Sequence, residues 1–456
     1  MSVSTSTHDQ AWPRPGKAWY MVVILAIAYS LSFLDRQILN LLVEPIKASL
    51  HISDTQISFL QGTAFGVLYA VAGLPISRLI DRASRRHIVF WGISLWSAMT
   101  AYCGLTRGYW QLFLARIGVG VGEAALNPSA FSMVTDSFPP KKRPLAMSVF
   151  HLGIPIGQGL ALIIGGAVIA MVAKIDLSSV PIFHVEYSWQ LVFLMVGLPG
   201  LLVAALMWTI QEPKRRGLLA TNGGMKQKVP LGEVASFLSA RRFTFFTLYL
   251  GVALKIALGY ASNAWLAVYF IRLHHWTATD FGYVYGPLGI VTGVCGNFIC
   301  GGIANSLAAK GRKDAAMIVV LWGYFIALPF AILAPLAPTS GLAIALFLTS
   351  TFFTNFHVLA PATLVAITPN QMRGQITALY VFIANIIGLG FGPTMVALFT
   401  DYVFHDELAL GYSLSVTSAI LGPMGAFILL WGLKSYRKSL KDAESWEGDQ
   451  APATAR

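Results

Sequence analysis

Runs of roughly 20 apolar residues recur along the whole of this 456-residue chain, and each is long enough to cross a bilayer core of about 30 Å as a helix. Only 11% of the residues are charged, against 56% hydrophobic, and the mean hydropathy is +0.65. Soluble domains carry about 25% charged residues. The charge here is too sparse to coat a water-facing surface, so that surface must face lipid. The predicted fold class is an all-α polytopic membrane protein.

Other features exclude competing classes. The net charge of +12 could suggest nucleic acid, but the basic residues lie in short clusters between apolar segments, so no nucleic-acid partner is expected. Cys103, Cys295 and Cys300 sit in apolar stretches without CxxC or Cys/His spacing and read as packing residues. The polar first 18 residues are followed by an apolar run carrying Asp35 and Arg36. That run is too long and too charged for a cleaved signal.

Spans are predicted near 19–43, 57–80, 88–106, 109–136, 144–172, 189–211, 244–271, 280–307, 315–336, 341–367, 374–400 and 411–434. An even number puts both termini on one side, and lysine and arginine identify it. Of the 32 such residues, 25 fall on the side of the termini, whereas the opposite loops hold only Lys47, Arg107, Lys174 and Arg272. The termini are therefore expected in the cytoplasm, with the chain in a bacterial inner membrane. The boundaries follow as an N-terminal tail (1–18), a six-helix bundle (19–211), a linker (212–242), a second six-helix bundle (243–436) and a C-terminal tail (437–456). The linker contains a turn at Asn222, Gly223 and Gly224 and ends in a partly amphipathic basic stretch, expected to lie as a helix on the membrane.

The halves repeat weakly. "DTQISFLQG" (54–62) matches "ATDFGYVYG" (278–286), each with Thr or Asp before a helix start, as an N-cap requires. "PISRLIDRASRR" (75–86) matches "GIANSLAAKGRK" (302–313).

An ionisable group near the bilayer centre costs about 2.5 kcal/mol or more on insertion scales, so it needs a partner or a wet cavity. Five such residues stand out: Asp35 and Arg36 on helix 1, Arg116 and Glu123 on helix 4, and Lys255 on helix 7. Asp35 and Arg36 lie about 100° apart around their helix, so they point differently. Arg116 and Glu123 are two turns apart on one face, separated by roughly 10 Å. Two acids and two bases allow mutual neutralisation. They also allow a proton site, in which protonating Asp35 or Glu123 frees an arginine for an anionic group. Lys255, roughly 18 Å into helix 7, is either a headgroup ligand or a snorkelling residue. His151 and His357 read as packed imidazoles, and Asn263, Asn297, Asn355 and Asn385 as cavity or interhelical amides.

Helix 4 also carries "GVGVGEA" (118–124), which resembles a phosphate loop. It lies inside an apolar helix with no preceding strand, so the dinucleotide reading fails. Such glycines, like those of "GIPIGQG" (153–159) and "GLGFGP" (388–393), permit close helix packing, and the prolines among them make bending expected. At the inner end of helix 2, Asp81, Arg82, Arg85 and Arg86 crowd one loop. Asp81 is expected to latch onto the start of helix 11 or Arg373, and Asp136 to pair with Arg82, Lys141 or Lys142. Asp81 matches Ala308 in the second half, so the latch is one-sided.

Taken together, "LSFLDRQILNLLVEPIKASLHISDTQISFLQG" (31–62) and "ARIGVGVGEAALNPSAFSMVTDSFPPKKRPLAMSVFHLGIPIGQGL" (115–160) resemble the spinster branch of the major facilitator superfamily. Two similar halves in parallel order fit that superfamily, and the resemblance implies its twelve-helix fold of two pseudo-symmetric bundles. It further implies proton-coupled transport of lysolipids or sphingoid-type phospholipids, with Asp35, Arg36 and Glu123 as coupling and headgroup residues. One stretch departs. Animal members carry His-Leu-Leu-Gly-Asp on helix 11 where this chain has Asn385, Ile386, Ile387, Gly388 and Leu389.

The expected function is a proton-coupled secondary transporter, working by alternating access as a monomer among membrane lipids, for an amphiphile with an anionic head. The alternative is a carrier of small organic anions or sugar acids. A lipid enzyme would need a nucleophile–base pair or a metal cluster, and the sequence displays neither. No cofactor or metal is expected, and no ATPase motif is present.

Overall fold

The computed structural model describes residues 12–177, 185–215, 230–369 and 371–448. Twelve helical segments follow one another: α1 (Pro15–Leu41), α2 (Asp54–Ile80), α3 (Arg85–Cys103), α4 (Tyr109–Glu123, resuming at Leu126–Ser137), α5 (Arg143–Val172), α6 (Ser188–Thr209), α7 (Arg242–His274), α8 (Ala278–Ala309), α9 (Ala315–Leu336), α10 (Ser340–Ala366), α11 (Arg373–Phe404) and α12 (Glu407–Ala443). Among the described residues, all of these except α3 and α4 are long and apolar enough to cross a membrane, ten in total. The predicted spans coincide with these to within a few residues at most ends. The C-terminus of α12 is the exception. It overruns its predicted end at 434 because Ser435 bonds Thr244 (2.6 Å) and Arg437 pairs with Asp314 (2.7 Å), which ties a polar extension to the bundle.

The first six segments pack as one bundle and the last six as another, meeting along α5–α8, α2–α11 and α1–α7. A short helix, Leu231–Ala240, precedes α7 and leaves Leu231 exposed while Val234 is buried. The predicted turn at Asn222–Gly224 lies outside the described residues.

The repeat appears in the backbone. His51 and His275 each adopt the left-handed conformation (φ 53° and 56°), and each is followed two residues later by a capped helix start. Ser53 caps with Gln56 and Thr277 caps with Asp280, both as reciprocal capping boxes. The first cap is thus Ser53 and not Asp54, which occupies the first helical position and is fully buried.

Four helix irregularities lie beside prolines. Pro128, Pro155, Pro361 and Pro393 each withhold an N–H from the carbonyl four residues earlier. Around those carbonyls, α4 breaks at Ala124–Ala125, α5 at Leu152, α10 becomes a 3₁₀ segment (Asn355–Leu359) and α11 a π segment (Ile386–Phe391). Helices 5 and 11, where bending is expected, each carry one of these irregularities. Close helix approach is present too: a Cβ at Gly159 of α5 would lie 2.5 Å from the Gly286 carbonyl oxygen of α8, and one at Gly120 of α4 would lie 2.6 Å from that of Phe65 in α2.

Candidate functional site

A cavity of about 440 Å³ lies between the halves, within the range of small-molecule sites. Arg36 and Lys255 face into it, as do Asn263, Asn297, Asn355 and Asn385. His357 also lines it and bonds the Thr354 carbonyl through Nδ1 (2.9 Å), so this histidine is a wall residue and not interior packing.

The adjacent pair on α1 diverges as the 100° rotation requires. Arg36 turns to the cavity, and its guanidinium grips Glu123, with Nε donating to Oε2 at 2.9 Å. It also lies 4.4 Å from the Phe65 ring centroid. Glu123 is buried at the last residue before the break in α4. Asp35 points away from the cavity, and its Oδ1 has no hydrogen-bond partner despite complete burial. Arg116 donates not to a carboxylate but to backbone carbonyls, to Leu60 at 3.3 Å and to Asp35 at 3.2 Å. Of the four charges on helices 1 and 4, two form a direct pair. The remaining acid and base sit behind it.

Lys255 is buried, and its Nζ, 4.6 Å from the Tyr324 ring centroid, has no hydrogen-bond partner. His151 does not line the cavity and packs among Phe131 and Phe150.

Arg85 anchors the α2–α3 loop. Arg85 is buried and pairs with Asp136, where the sequence offered Arg82, Lys141 or Lys142. It also bonds Ser132 (2.9 Å), the Pro213 carbonyl (2.6 Å) and Glu212 (3.3 Å). These bonds join the loop to α4 and to the beginning of the linker, all on the first half. Arg86 caps the Ile210 carbonyl (3.2 Å), and Arg82 is exposed. The side chain of Asp81 lies outside the described residues.

Charges that do join the halves stand at the end of the bundle away from the termini, and sequence reasoning passed over them. Arg272 of α7 forks onto Asp54 (2.6 and 2.8 Å) and reaches Glu44 (2.8 Å). Lys47 bridges Asp54 and Glu407, the latter at 2.8 Å. Asp401 accepts from the N–H and hydroxyl of Thr55 (2.7 and 2.6 Å). Beneath this layer, amides cross from α1 and α2 to α7. Gln37 donates to Asn263 (2.8 Å), Asn40 to Gln37 (2.7 Å), and Gln61 both to Asn40 (3.1 Å) and to the Ala264 carbonyl (3.0 Å). Together they roof the cavity. The available signal was that Lys47 and Arg272 are two of only four bases on that side, each at a helix end.

Comparison with known proteins agrees with this architecture. A family model described as Major Facilitator Superfamily matches residues 25–393. An MFS-type efflux pump of Mycolicibacterium smegmatis is 27% identical over 96% of this chain and 97% of its own length. The sphingosine-1-phosphate transporter SPNS2 of Danio rerio is 26% identical over 95% and 90%. A probable L-galactonate transporter of Escherichia coli is 24% identical over 87% and 86%. Among solved structures, a bacterial homolog of the human lysosomal transporter spinster, inward-facing and unoccupied, superposes with a TM-score of 0.74. It is 24% identical and covers 97% of this chain and 100% of its own.

Proposed function

The chain belongs to the major facilitator superfamily, a family of membrane transporters, and from that premise we propose that it carries an amphiphilic anion by proton-coupled alternating access. The observation that carries this reading is the Arg36–Glu123 pair. It joins the cavity wall to a fully buried carboxylate beside a break in α4. Protonating Glu123 removes its charge, ends the pairing and releases Arg36 to meet an anionic head. Asp35, buried behind the pair with an unpartnered oxygen, supplies a second proton position, and Arg116 holds the local field positive. The likeness to a sphingosine-1-phosphate transporter and the apolar share of the cavity wall support a lipid-like body on the substrate. The likeness to a galactonate carrier and the amide-rich roof support the second reading, a small organic anion or sugar acid.

In this reading the termini face the cytoplasm, as the basic loops direct, the protein works as a monomer in the inner membrane, and the domain boundaries fall at the linker between α6 and α7. Asp81, Arg82, Arg85, Arg86 and Asp136 form the cytoplasmic latch, in which Asp81 anchors to the start of helix 11 or to Arg373 in one open state and releases in the other.

Proteoliposomes loaded with a fluorescent lysophospholipid test the coupling. Glu123→Gln and Asp35→Asn are each expected to reduce uptake driven by a pH gradient at least tenfold while lipid exchange without a gradient continues. Full gradient-driven uptake in both variants removes the proton role.

A further inference from the structure

We propose that Lys255 is the charge-selecting residue of the cavity, binding the anionic group of the substrate from the second half before protonation of Glu123 frees Arg36 to join it. This rests on the reading of the cavity as the transport site and specifies which wall receives the charge. Three independent observations converge on it. Lys255 lines the cavity and is 2% exposed, and its ammonium is buried with no hydrogen-bond partner. No aspartate or glutamate lines the cavity among the described residues. The other cavity cation, Arg36, is already neutralised by Glu123.

A buried ion loses its hydration. The Tyr324 ring, 4.6 Å away, offsets only part of that loss through its π face. The balance is a standing attraction for an anion that enters the cavity. Donors are present to complete such a site: the Tyr324 hydroxyl is likewise buried and unpartnered, and Asn385 lines the same space.

The surroundings also define the rest of the ligand. From Tyr324, the next cavity residues on α9 are Ala327, Leu328 and Ala331, at helical spacings of three, four and seven, which place all four on one stripe. Leu258 of α7 faces the same lobe. An anionic group at Lys255 therefore sits directly beside an apolar wall that penetrates the second half. The ligand class is an amphiphile with its negative charge next to an apolar body.

The test compares three probes on purified protein in detergent: a lysophosphatidylglycerol, the neutral monoacylglycerol of the same chain, and galacturonate. Wild type is expected to bind the lysophosphatidylglycerol at least ten times more tightly than the monoacylglycerol. Lys255→Met, an apolar replacement of similar length, is expected to erase that preference while leaving monoacylglycerol affinity within about twofold. Lys255→Arg is expected to keep it. Anion preference surviving in Lys255→Met overturns the inference, as does wild-type binding of neither anion. Galacturonate binding that is lost in Lys255→Met, without lysolipid binding, upholds the anion site and rejects the lipid reading instead.

Discussion

At the residue scale, the charges divide into those that neutralise each other and those that do not. Glu212, just past α6, belongs to the first kind. Burial alone pushes its carboxyl up, but hydrogen bonds from Ser84 and the backbone N–H groups of Arg85 and Arg86 outweigh burial and hold it below its usual value. A depressed folded pKa contributes stability that is complete above the unfolded value of about 4.3 and is lost as pH falls through the folded value. Glu212→Gln is therefore expected to lower the unfolding free energy by about 1 kcal/mol at neutral pH, with the two proteins converging in acid. Detergent-based unfolding curves at several pH values measure this, and a pH-independent difference would assign the effect to shape instead of charge. The same scale sets the limit of sequence reasoning on Asp35 and Arg36. Their rotation by about 100° was legible from helix geometry. Their partners were not, because the register of α1 against α4 is decided by packing and not by spacing along either helix.

At the element scale, the irregularities of α4, α5, α10 and α11 lie beside prolines, and those of α5 and α11 were legible in the sequence. The π segment of α2 (Phe59–Thr63) was not, since no proline follows it closely. It packs against the π segment of α11, and a Cβ at Gly62 would overlap the Leu389 carbonyl. Gly73, further along α2, has open space where a Cβ would go. Alanine in a helix is favoured over glycine by about 1 kcal/mol, so Gly73→Ala is expected to be neutral or stabilising. Gly62→Ala is expected to cost about 1–3 kcal/mol, because overpacking forces the helices apart. Parallel unfolding measurements decide it, and equal effects at the two sites would mean that α2 and α11 separate without cost.

At the scale of the whole molecule, the halves are held together at the end away from the termini. Arg272, Asp54, Lys47, Glu44 and Glu407 form one network, with Arg272 and Asp54 both buried. Removing one partner from a buried pair costs about 3–5 kcal/mol, because the other charge is stranded. Arg272→Ala is expected to destabilise this closed arrangement and to lengthen spin-label distances between the loops following α1 and α11. A distance distribution identical to that of wild type would show that the apolar contacts close this end unaided. Asp314 offers an internal contrast. Burial raises its carboxyl, but Arg437 and Arg312 lower it further than that, and its pairings stay within the second half.

The sequence by itself determined the class of molecule. Backbone polar groups in lipid must bond within their own helix, so length and apolarity specify spans, and basic loops specify their expected orientation. It also singled out Asp35, Arg36, Arg116, Glu123 and Lys255, because charge in such spans is costly enough to stand out residue by residue. Tertiary structure alone decided which of them meet. It paired Arg36 with Glu123, turned Asp35 and Arg116 aside, and set Lys255 in the cavity wall with its ammonium unpartnered. It also assembled a charge network from Lys47, Asp54 and Arg272, residues that stand at helix ends. There charge is ordinary in sequence and becomes distinctive only when two halves, more than 200 residues apart along the chain, close over it.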